Sequence, residues 1–283
     1  MKVTVLIENT AGDRPEGLAC EHGLSLYIEH SGRKYLLDSG GSDRFIQNAK
    51  LLNIPLQEVD TAFLSHGHFD HSGGFAAFFR ENDHAPLFMM DHAGAKYYST
   101  ASGEPEYIGI PDELKEHFSD RIRYVREKTK ITEGVWLLPH TAPGLDRIGV
   151  RVKMFRKSGD EMIPDDFSHE MSLVMETEKG LVVFNSCTHS GLEVVIEEVN
   201  AAFPGQPVSA FVGGLHMRGV DPNPMFCLYT EQEIQRLAQF LRRRRVGAIW
   251  TGHGTGPMGF HLMKKYLGDE VMHQLTTGET FEI

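Results

Sequence analysis

The chain has 283 residues, of which 41% are hydrophobic and 24% are charged. These values exclude a largely disordered chain, and no apolar run reaches the ~18 residues that a membrane span requires. The net charge of −11 argues against a nucleic-acid-binding protein, because such proteins rely on a broad positive field.

The cysteines and the first residues indicate a cytoplasmic protein. Cys20, Cys187 and Cys227 form no CxxC pair and are odd in number, which argues against a disulfide framework and fits a reducing compartment. Residues 1–17 lack the apolar stretch and the cleavage site of a signal peptide. The basic run 242–245 predicts a solvated helix end, with an anion-binding patch as the alternative.

The predicted elements mix strands and helices along the whole chain. In the first half, apolar and alternating runs predict strands at 3–7, 24–30, 34–38 and 61–65, and helical spacing predicts a helix at 43–52. In the second half, strands are predicted for IRYV, GVWLL, MSLVMET, LVVFN, VSAFVG and AIWT, and helices for 192–202 and 230–243. We expect an α/β fold in one domain over residues 1–283, with two packed sheets and helices outside.

The most informative segment is His66-Gly67-His68-Phe69-Asp70-His71, which follows a predicted buried strand. Imidazole nitrogens and a carboxylate suit zinc and related divalent ions. A tight loop can aim all four side chains at one point, and Gly67 is expected to supply backbone freedom there. The segment predicts that His66 and His68 bind one metal ion, and that Asp70 and His71 bind a neighbouring one.

The segment HGHFDH resembles the HxHxDH signature of the metallo-β-lactamase superfamily. Asp38 in KYLLDSG, Cys187 in VVFNSC and His253 in IWTGHGTG match further motifs of that family. The resemblance implies the four-layer αββα sandwich, with two mixed sheets. It also implies that Asp38 orients the metal loop from behind, and that Cys187 and His253 are ligands.

A finer resemblance is to the dihydropterin ribofuranosyl-aminobenzene phosphate synthase-like branch of the superfamily. The segments that carry it are Glu21-His22-Gly23-Leu24-Ser25, Ser186-Cys187-Thr188-His189, Gly213-Gly214-Leu215-His216 and Gly252-His253. His22 and His216 lie within these segments. We expect His22 to line the pocket and contact substrate, and His216 to contact substrate or to lie beside the metal. A purely structural role is the alternative for each.

The superfamily usually supplies a third histidine ahead of the cysteine motif, and two candidates exist, His169 and His189. MSLVMET and LVVFN read as a hairpin, which we expect to fold about Lys179. That register would place His169 opposite His189, so that both emerge beside Cys187. The superfamily spacing to the cysteine motif favours His169 as the ligand, whereas the branch pattern favours His189. We expect His189 to be the ligand, with His169 as its neighbour or as a substrate contact.

Residues 96–118 form a turn-rich stretch between the two halves. They predict an irregular insertion or lid over the metal pocket, with Tyr107 contacting substrate. The alternative is an ordinary surface insertion or a contact between two copies of the chain. The sequence does not decide between a monomer and a homodimer.

The sequence thus favours a metal-dependent hydrolase of a phosphorylated or ester-containing small molecule. A divalent metal, zinc first and manganese or iron next, lowers the pKa of bound water to about 7 and so makes hydroxide available. One or two ions are expected, and Asp70 and Asp38 are the expected catalytic carboxylates. The branch resemblance gives a condensing enzyme of the dihydropterin and phosphoribosyl-aminobenzene type as the alternative. A non-catalytic, metal-dependent sensing protein is the alternative from another class.

Overall fold

The computed structural model describes residues 1–12, 15–219, 223 and 225–283. The chain forms two compact units, the first containing 1–97, 107–126 and 275–283 and the second containing 98–106 and 127–274. Within the described residues, no helix is both long and apolar enough to cross a bilayer. The single domain expected over residues 1–283 stays a prediction.

The first unit is built on a seven-stranded mixed sheet. Its strands are β1 (Lys2–Ile7), β2 (Ser25–His30), β3 (Arg33–Leu37), β4 (Thr61–Phe63), β5 (Leu87–Met90), β8 (Ile122–Val125) and β18 (Thr280–Glu282). Their order is β18-β1-β2-β3-β4-β5-β8. Pairing is antiparallel from β18 to β3 and parallel from β3 to β8. Strand β18 joins the two ends of the sequence, because Lys2 lies opposite Glu282.

Helices connect the parallel strands of this sheet, as parallel neighbours require. They are α1 (Arg44–Leu51), α2 (Phe69–Ser72), α3 (Phe75–Glu81) and α4 (Asp112–His117), with short 3₁₀ turns at Leu56–Glu58, Asp91–Gly94 and Ser119–Arg121. The helix predicted at 43–52 is confirmed as α1, which buries Phe45, Ile46 and Ala49. The loop between β4 and α2 carries the first two histidines of the HxHxDH segment.

The second unit is built on another seven-stranded mixed sheet. Its strands are β9 (Thr129–Thr132), β10 (Val135–Pro139), β13 (Met171–Thr177), β14 (Gly180–Phe184), β15 (Val208–Val212), β16 (Ala248–Thr251) and β17 (Met272–Gln274). Their order is β17-β16-β15-β14-β13-β10-β9. Pairing is antiparallel from β9 to β14 and parallel from β14 to β17. The two sheets therefore share one pairing pattern.

The described part of the second unit also contains helices. They are α5 (Asp146–Val152), α6 (Leu192–Ala202), α7 (Glu231–Arg243) and α8 (Gly256–Leu267). The helices predicted at 192–202 and 230–243 are confirmed as α6 and α7. Thr230 is the N-cap of α7 and forms a reciprocal capping box with Glu233. The apolar faces of α6, α7 and α8 form one core with the sheet, in which Val195, Leu241 and Met263 are buried.

A smaller sheet contains β12 (Glu161–Pro164), β11 (Met154–Ser158), β6 (Tyr97–Ser99) and β7 (Glu106–Tyr107), in that order. Strands β6 and β7, together with α4, lie inside the stretch 96–118. That stretch therefore contains regular elements where an irregular insertion was expected. Its role as a lid stays a prediction.

The β13–β14 hairpin differs by one residue from the predicted register. Thr177 lies opposite Gly180, so the hairpin is centred between Glu178 and Lys179 and not on Lys179. A two-residue turn closes it, and a slip of one residue reverses the face of every side chain. The predicted pairing of His169 with His189 is therefore wrong.

Candidate metal-binding clusters

The candidate ligands follow the carboxyl ends of neighbouring parallel strands. In the first unit, Asp38 follows β3 and the segment 66–71 follows β4. In the second unit, Cys187 follows β14, His216 follows β15 and His253 follows β16. Neighbouring parallel strands end at the same edge of a sheet, which is where α/β proteins bind their ligands. Strand pairing thus gathers the candidates within each unit.

Asp38 is the centre of a buried network in the first unit. It is fully buried and adopts the left-handed backbone conformation, with φ 57°. Its Oδ1 accepts from the Ser65 backbone N–H at 2.7 Å. Its Oδ2 accepts from Ser65 Oγ at 2.6 Å and from His71 Nδ1 at 2.8 Å. The carboxylate of Asp38 is thus fully used in holding the loop after β4.

This network fixes the tautomers of two histidines. His71 donates Nδ1–H to Asp38, which leaves its Nε2 as an acceptor in the neutral ring. Ser65 has one hydroxyl proton and donates it to Asp38, so its Oγ accepts from His66 Nδ1 at 2.8 Å. His66 Nε2 is then an acceptor too. An imidazole whose far nitrogen is held in this way is oriented for metal ligation.

Four predicted ligands lie close to one another, and we call them the first cluster: His66, His68, Asp70 and His71. The ring centroids of His66 lie 4.6 Å from His68 and 4.2 Å from His71. His71 Nε2 lies 3.5 Å from Asp70 Oδ2. All four side chains are buried. The structure therefore brings the four predicted ligands together, and their donor types fit a divalent metal.

His22 lies beside Asp70, and its expected contact with substrate stays a prediction. Its Nε2 is 3.2 Å from Asp70 Oδ2, and its side chain is 65% exposed. Asn9 Nδ2 lies 3.2 Å from His22 Nδ1 and donates to it, which leaves the proton of the neutral ring on Nε2. His22 therefore connects the buried Asp70 carboxylate to solvent.

In the loop of the HxHxDH segment, the backbone at Gly67 lies very close to the backbone of Ala93. Gly67 has an ordinary negative φ, so its predicted role in backbone freedom is wrong. A Cβ at Gly67 would lie 2.5 Å from the Ala93 carbonyl oxygen, and only glycine fits. His68 forms an isolated antiparallel bridge with Gly109. Tyr107 is 44% exposed, and its hydroxyl donates to Ile110 within the same turn.

The second unit has its own group of candidate ligands, which we call the second cluster: Cys187, His189 and His216. Their potential ligand atoms all lie within 4.8 Å of one another. Cys187 Sγ is 3.7 Å from His216 Nδ1, and the rings of His189 and His216 are 4.2 Å apart. Sulfur and imidazole nitrogen are ligands that zinc accepts. His216, which was expected to contact substrate, is therefore also a candidate ligand.

The backbone around His189 is held by a buried carboxylate. Glu170 is fully buried and accepts from the backbone N–H groups of His189 at 2.7 Å and Ser190 at 2.9 Å. The ring of Phe167 stacks on that of His189, with centroids 5.1 Å apart and planes 8° apart. These contacts place His189 in the second cluster.

His169 and His253 occupy other positions in the second unit. His169 Nε2 lies 3.0 Å from Asp165 Oδ2, and both residues are fully buried. His253 is buried after β16, and a Cβ at the next residue, Gly254, would lie 3.6 Å from Cys187 Sγ. The His253 loop thus lies beside the second cluster. Their ligand roles stay predictions.

Sequence reasoning missed three residues that support the clusters, Ser65, Glu170 and Asp165. Each is a buried polar residue whose bonds position a histidine or the backbone of one. Glu170 gave a signal, because it directly precedes the predicted strand MSLVMET, and a charged residue at the start of a buried strand is rarely buried without a partner. The partners themselves depend on contacts distant in sequence.

Comparison with known proteins matches the resemblance seen in HGHFDH. The model of the metallo-β-lactamase superfamily matches residues 18–201, more than half of the chain. The 7,8-dihydropterin-6-methyl-4-(β-D-ribofuranosyl)-aminobenzene-5′-phosphate synthase of Methanocaldococcus jannaschii is 26% identical over 273 residues. That match covers 90% of this chain and 88% of the relative.

Solved structures give the same result for the fold. A metal-dependent hydrolase of the β-lactamase superfamily, Tm1679, has a TM-score of 0.79 at 25% identity, covering 100% of this chain and 99% of that one. The metallo-β-lactamase-fold protein YhfI from Bacillus subtilis has a TM-score of 0.58 at 11% identity, covering 100% and 98% of the two chains. The predicted α/β class, with mixed sheets and helices, is confirmed.

Proposed function

The chain belongs to the metallo-β-lactamase superfamily, and from that premise we propose that it is a metal-dependent hydrolase of a phosphorylated or ester-containing small molecule. The observation that carries the proposal is the network of Asp38, which leaves the Nε2 atoms of His66 and His71 as acceptors. Neutral, oriented imidazoles are what a divalent cation binds.

The donor types favour zinc, with manganese or iron as the alternatives. In the first unit, the side chains of the first cluster would hold a metal ion. In the second unit, Cys187, His189 and His216 would do so, with His253 beside them. The proposal is one or two ions per chain.

When bound, the divalent metal lowers the pKa of water to about 7 and polarises the carbonyl or phosphoryl oxygen under attack. The chain's own residues orient the ligands and handle the proton. Asp38 is a positioning residue, because it is fully buried and its oxygens are used by Ser65 and His71. Asp70 Oδ2 can accept a proton, and the exposed His22 donates its Nε2–H to that carboxylate across 3.2 Å and so helps to orient it.

A condensing enzyme is the second candidate function. It is favoured by the match to the M. jannaschii synthase, which extends over 90% of this chain. In that case, the chain would bind a phosphorylated substrate and join it to an aromatic partner. Both candidates need a bound phosphate or ester group and a metal, so product analysis must separate them.

The test is elemental analysis followed by a substrate screen. Protein purified without chelator is expected to contain one or two transition-metal ions per chain. The metal-loaded protein is then assayed with phosphomonoesters, phosphodiesters and lactones. Less than about 0.2 ion per chain, with none taken up on titration, would overturn the proposal. Full metal loading without turnover of any class would favour a sensing protein instead.

The two candidate histidines of the second unit give the first prediction. His189→Gln is expected to lower metal affinity by more than about 100-fold, because it removes a ligand of the second cluster. His169→Gln keeps an amide donor for Asp165 and is expected to leave metal affinity within a few fold. Competition with a chromophoric chelator measures both. The reverse order of effects would show that His169 is the ligand.

A further inference from the structure

A cleft of about 460 Å³ opens in the second unit at the start of α6. That volume is within the range of small-molecule sites. All of its lining residues belong to the second unit. Those that carry the argument are Ser190, Gly191, Leu192, Arg151, Tyr229 and Arg236.

One end of the cleft is the N-terminus of a helix. Gly191 is the N-cap of α6, has φ 87°, and provides no side-chain cap for the helix. The first N–H groups of a helix have no partner within it, and they form its positive end. Such an end binds phosphate and other oxyanions. A helix end alone would not identify a site.

Ser190 supplies the second observation. Ser190 is fully buried and lines the cleft. Its Oγ has no hydrogen-bond partner among the residues that the structure describes, although its backbone N–H donates to Glu170 Oε2 at 2.9 Å. A buried hydroxyl without a partner costs about 1–3 kcal/mol. A ligand oxygen beside the helix end would remove that cost.

The charges of the cleft do not attract anions by themselves. Arg151 and Arg236 are balanced by Glu193 and Glu233. Arg151 is also paired with Glu233, with Nη1 2.9 Å from Oε1. Binding of an oxyanion would therefore depend on local donors, namely the start of α6, Ser190 and the exposed Arg236.

The other walls of the cleft suit an apolar, planar body. Leu192, Leu237 and Ile148 contribute aliphatic surface. The guanidinium of Arg151 lies over the ring of Tyr229, 4.8 Å from its centroid, and gives a flat face. Flat cationic and aromatic surfaces stack on aromatic rings.

We propose that this cleft binds the phosphate-bearing, aromatic part of the substrate, with the phosphate at Ser190 and the start of α6. The inference rests on the proposed function, because it names the substrate class and takes His189, the residue before Ser190, as a metal ligand. A phosphate matches the donors, since its three acceptor oxygens can receive the hydroxyl and the helix N–H groups together.

The test is calorimetric binding of phenylphosphonate, which cannot be hydrolysed, to the metal-loaded protein. Binding of inorganic phosphate, which tests the phosphate group alone, and of phenol, which tests the aromatic ring alone, is measured separately. Phenylphosphonate is expected to bind at least tenfold more tightly than either. Equal affinity for inorganic phosphate would overturn the aromatic part of the proposal, and equal affinity for phenol would overturn the phosphate part.

Two variants locate the binding site. Ser190→Ala is expected to raise the Kd for phenylphosphonate about tenfold, which corresponds to the loss of one hydrogen bond to a charged group. Its matched control is Ser209→Ala, whose hydroxyl donates to Leu181 away from the cleft. Arg236→Gln is expected to raise the Kd several fold, and Arg242→Gln on the same helix is its control.

Metal content and melting temperature are measured on each variant. Metal content is expected to stay unchanged, and the melting temperature of Ser190→Ala is expected not to fall, because the substitution removes a buried hydroxyl that has no partner. An unaltered Kd in Ser190→Ala and Arg236→Gln, or no binding of phenylphosphonate at all, overturns this inference even if the protein hydrolyses esters. A weakened Kd in both variants supports the inference even if no turnover is found, and only the proposed function then fails.

Discussion

Four non-glycine residues beside the clusters have positive φ angles: Asp38, Phe167, Thr188 and His216, at 57°, 51°, 58° and 44°. For such residues, the left-handed conformation costs about 1–2 kcal/mol each. It persists only where the surrounding contacts determine it. At Asp38 those contacts are the hydrogen bonds to Ser65 and His71, and at Thr188 the backbone N–H donates to Asn185. The backbone geometry around the ligands is therefore imposed by the fold.

Asp38 gives the next prediction. In Asp38→Asn, one carboxylate oxygen becomes an NH₂ group, so the side chain can no longer accept all three hydrogen bonds from the Ser65 backbone N–H, Ser65 Oγ and His71 Nδ1. The loop that orients His66 and His71 would then be held less firmly. Metal affinity is expected to fall about 10–100-fold, as for other residues that orient ligands. Titration with zinc against a competing chelator measures the change.

The control for this variant is Asp43→Asn. Asp43 is exposed at the start of α1 and makes no side-chain cap. It is expected to leave the affinity unchanged. An Asp38→Asn protein that melts normally and binds zinc as tightly as the wild type would refute the positioning role.

At the scale of elements, local patterns predicted the long, periodic segments. The bounds of α6 and β13 were predicted correctly, because apolar residues recur along each at the spacing of its element. Strand β18 was missed, since its three residues are at most half-buried and exist as a strand through pairing with β1. Helix α8 was also missed, because its glycine-rich start hides the helical pattern.

The same distinction explains which parts of the clusters were predicted. The first cluster is local in sequence, so its four candidate ligands could be read from one segment. The bond from Glu170 to the backbone of His189 joins residues 19 positions apart, across the β13–β14 hairpin. Predicting this hydrogen bond required the register of the hairpin, and the register predicted from the sequence was wrong by one residue.

Gly180, the first residue of β14 after the hairpin turn, gives a prediction for a single element. Gly180 has φ 125°, and a Cβ there would lie 2.4 Å from the Pro207 carbonyl oxygen. Gly180→Ala is expected to lower the free energy of unfolding by more than about 2 kcal/mol, through backbone strain and displacement of β15. Urea denaturation measures the loss.

Gly205→Ala is the matched comparison for Gly180→Ala. Gly205 also has a positive φ, 82°, but nothing lies within 4 Å of its added Cβ. It is expected to lose only about 1 kcal/mol, the cost of the left-handed backbone. Equal losses in the two variants would mean that the contact with Pro207 is unimportant.

For the whole molecule, the two sheets share three antiparallel pairings followed by three parallel ones. In each unit the residues of the candidate site begin after the strand where pairing changes, with Asp38 after β3 in the first and Cys187 after β14 in the second. The sequence showed only that both halves mix strands and helices. No residue pattern repeats between them, so the shared topology could be seen only from the strand pairing.

Overall stability is expected to depend on pH through Glu8. Burial raises the pKa of this carboxyl from 4.5 to about 7, and the Thr10 backbone N–H and His22 oppose the shift in part. Between these pH values the folded state keeps a proton that the unfolded state loses. The free energy of unfolding therefore falls as pH rises from 4.5 to 7, by about 1.4 kcal/mol per unit and about 3 kcal/mol in total.

Glu8→Gln removes this contribution. The variant is expected to be less sensitive to pH over that interval, and to gain stability relative to the wild type at pH 8. Denaturation midpoints at pH 4.5, 6, 7 and 8 test this, with the exposed Glu16→Gln as control. Parallel pH profiles for wild type and Glu8→Gln would contradict the expectation.

The pairing of β18 with β1 sets the order in which the chain can fold during synthesis. Residues 127–274 emerge from the ribosome before residue 280, so every strand of the second large sheet exists before the first sheet gains β18. At usual rates of translation, β1 waits about 15–60 s for its partner. Throughout that interval β1 presents an open edge, which other chains can pair with. The first unit is therefore open to pairing with other chains for as long as β18 is still to be made.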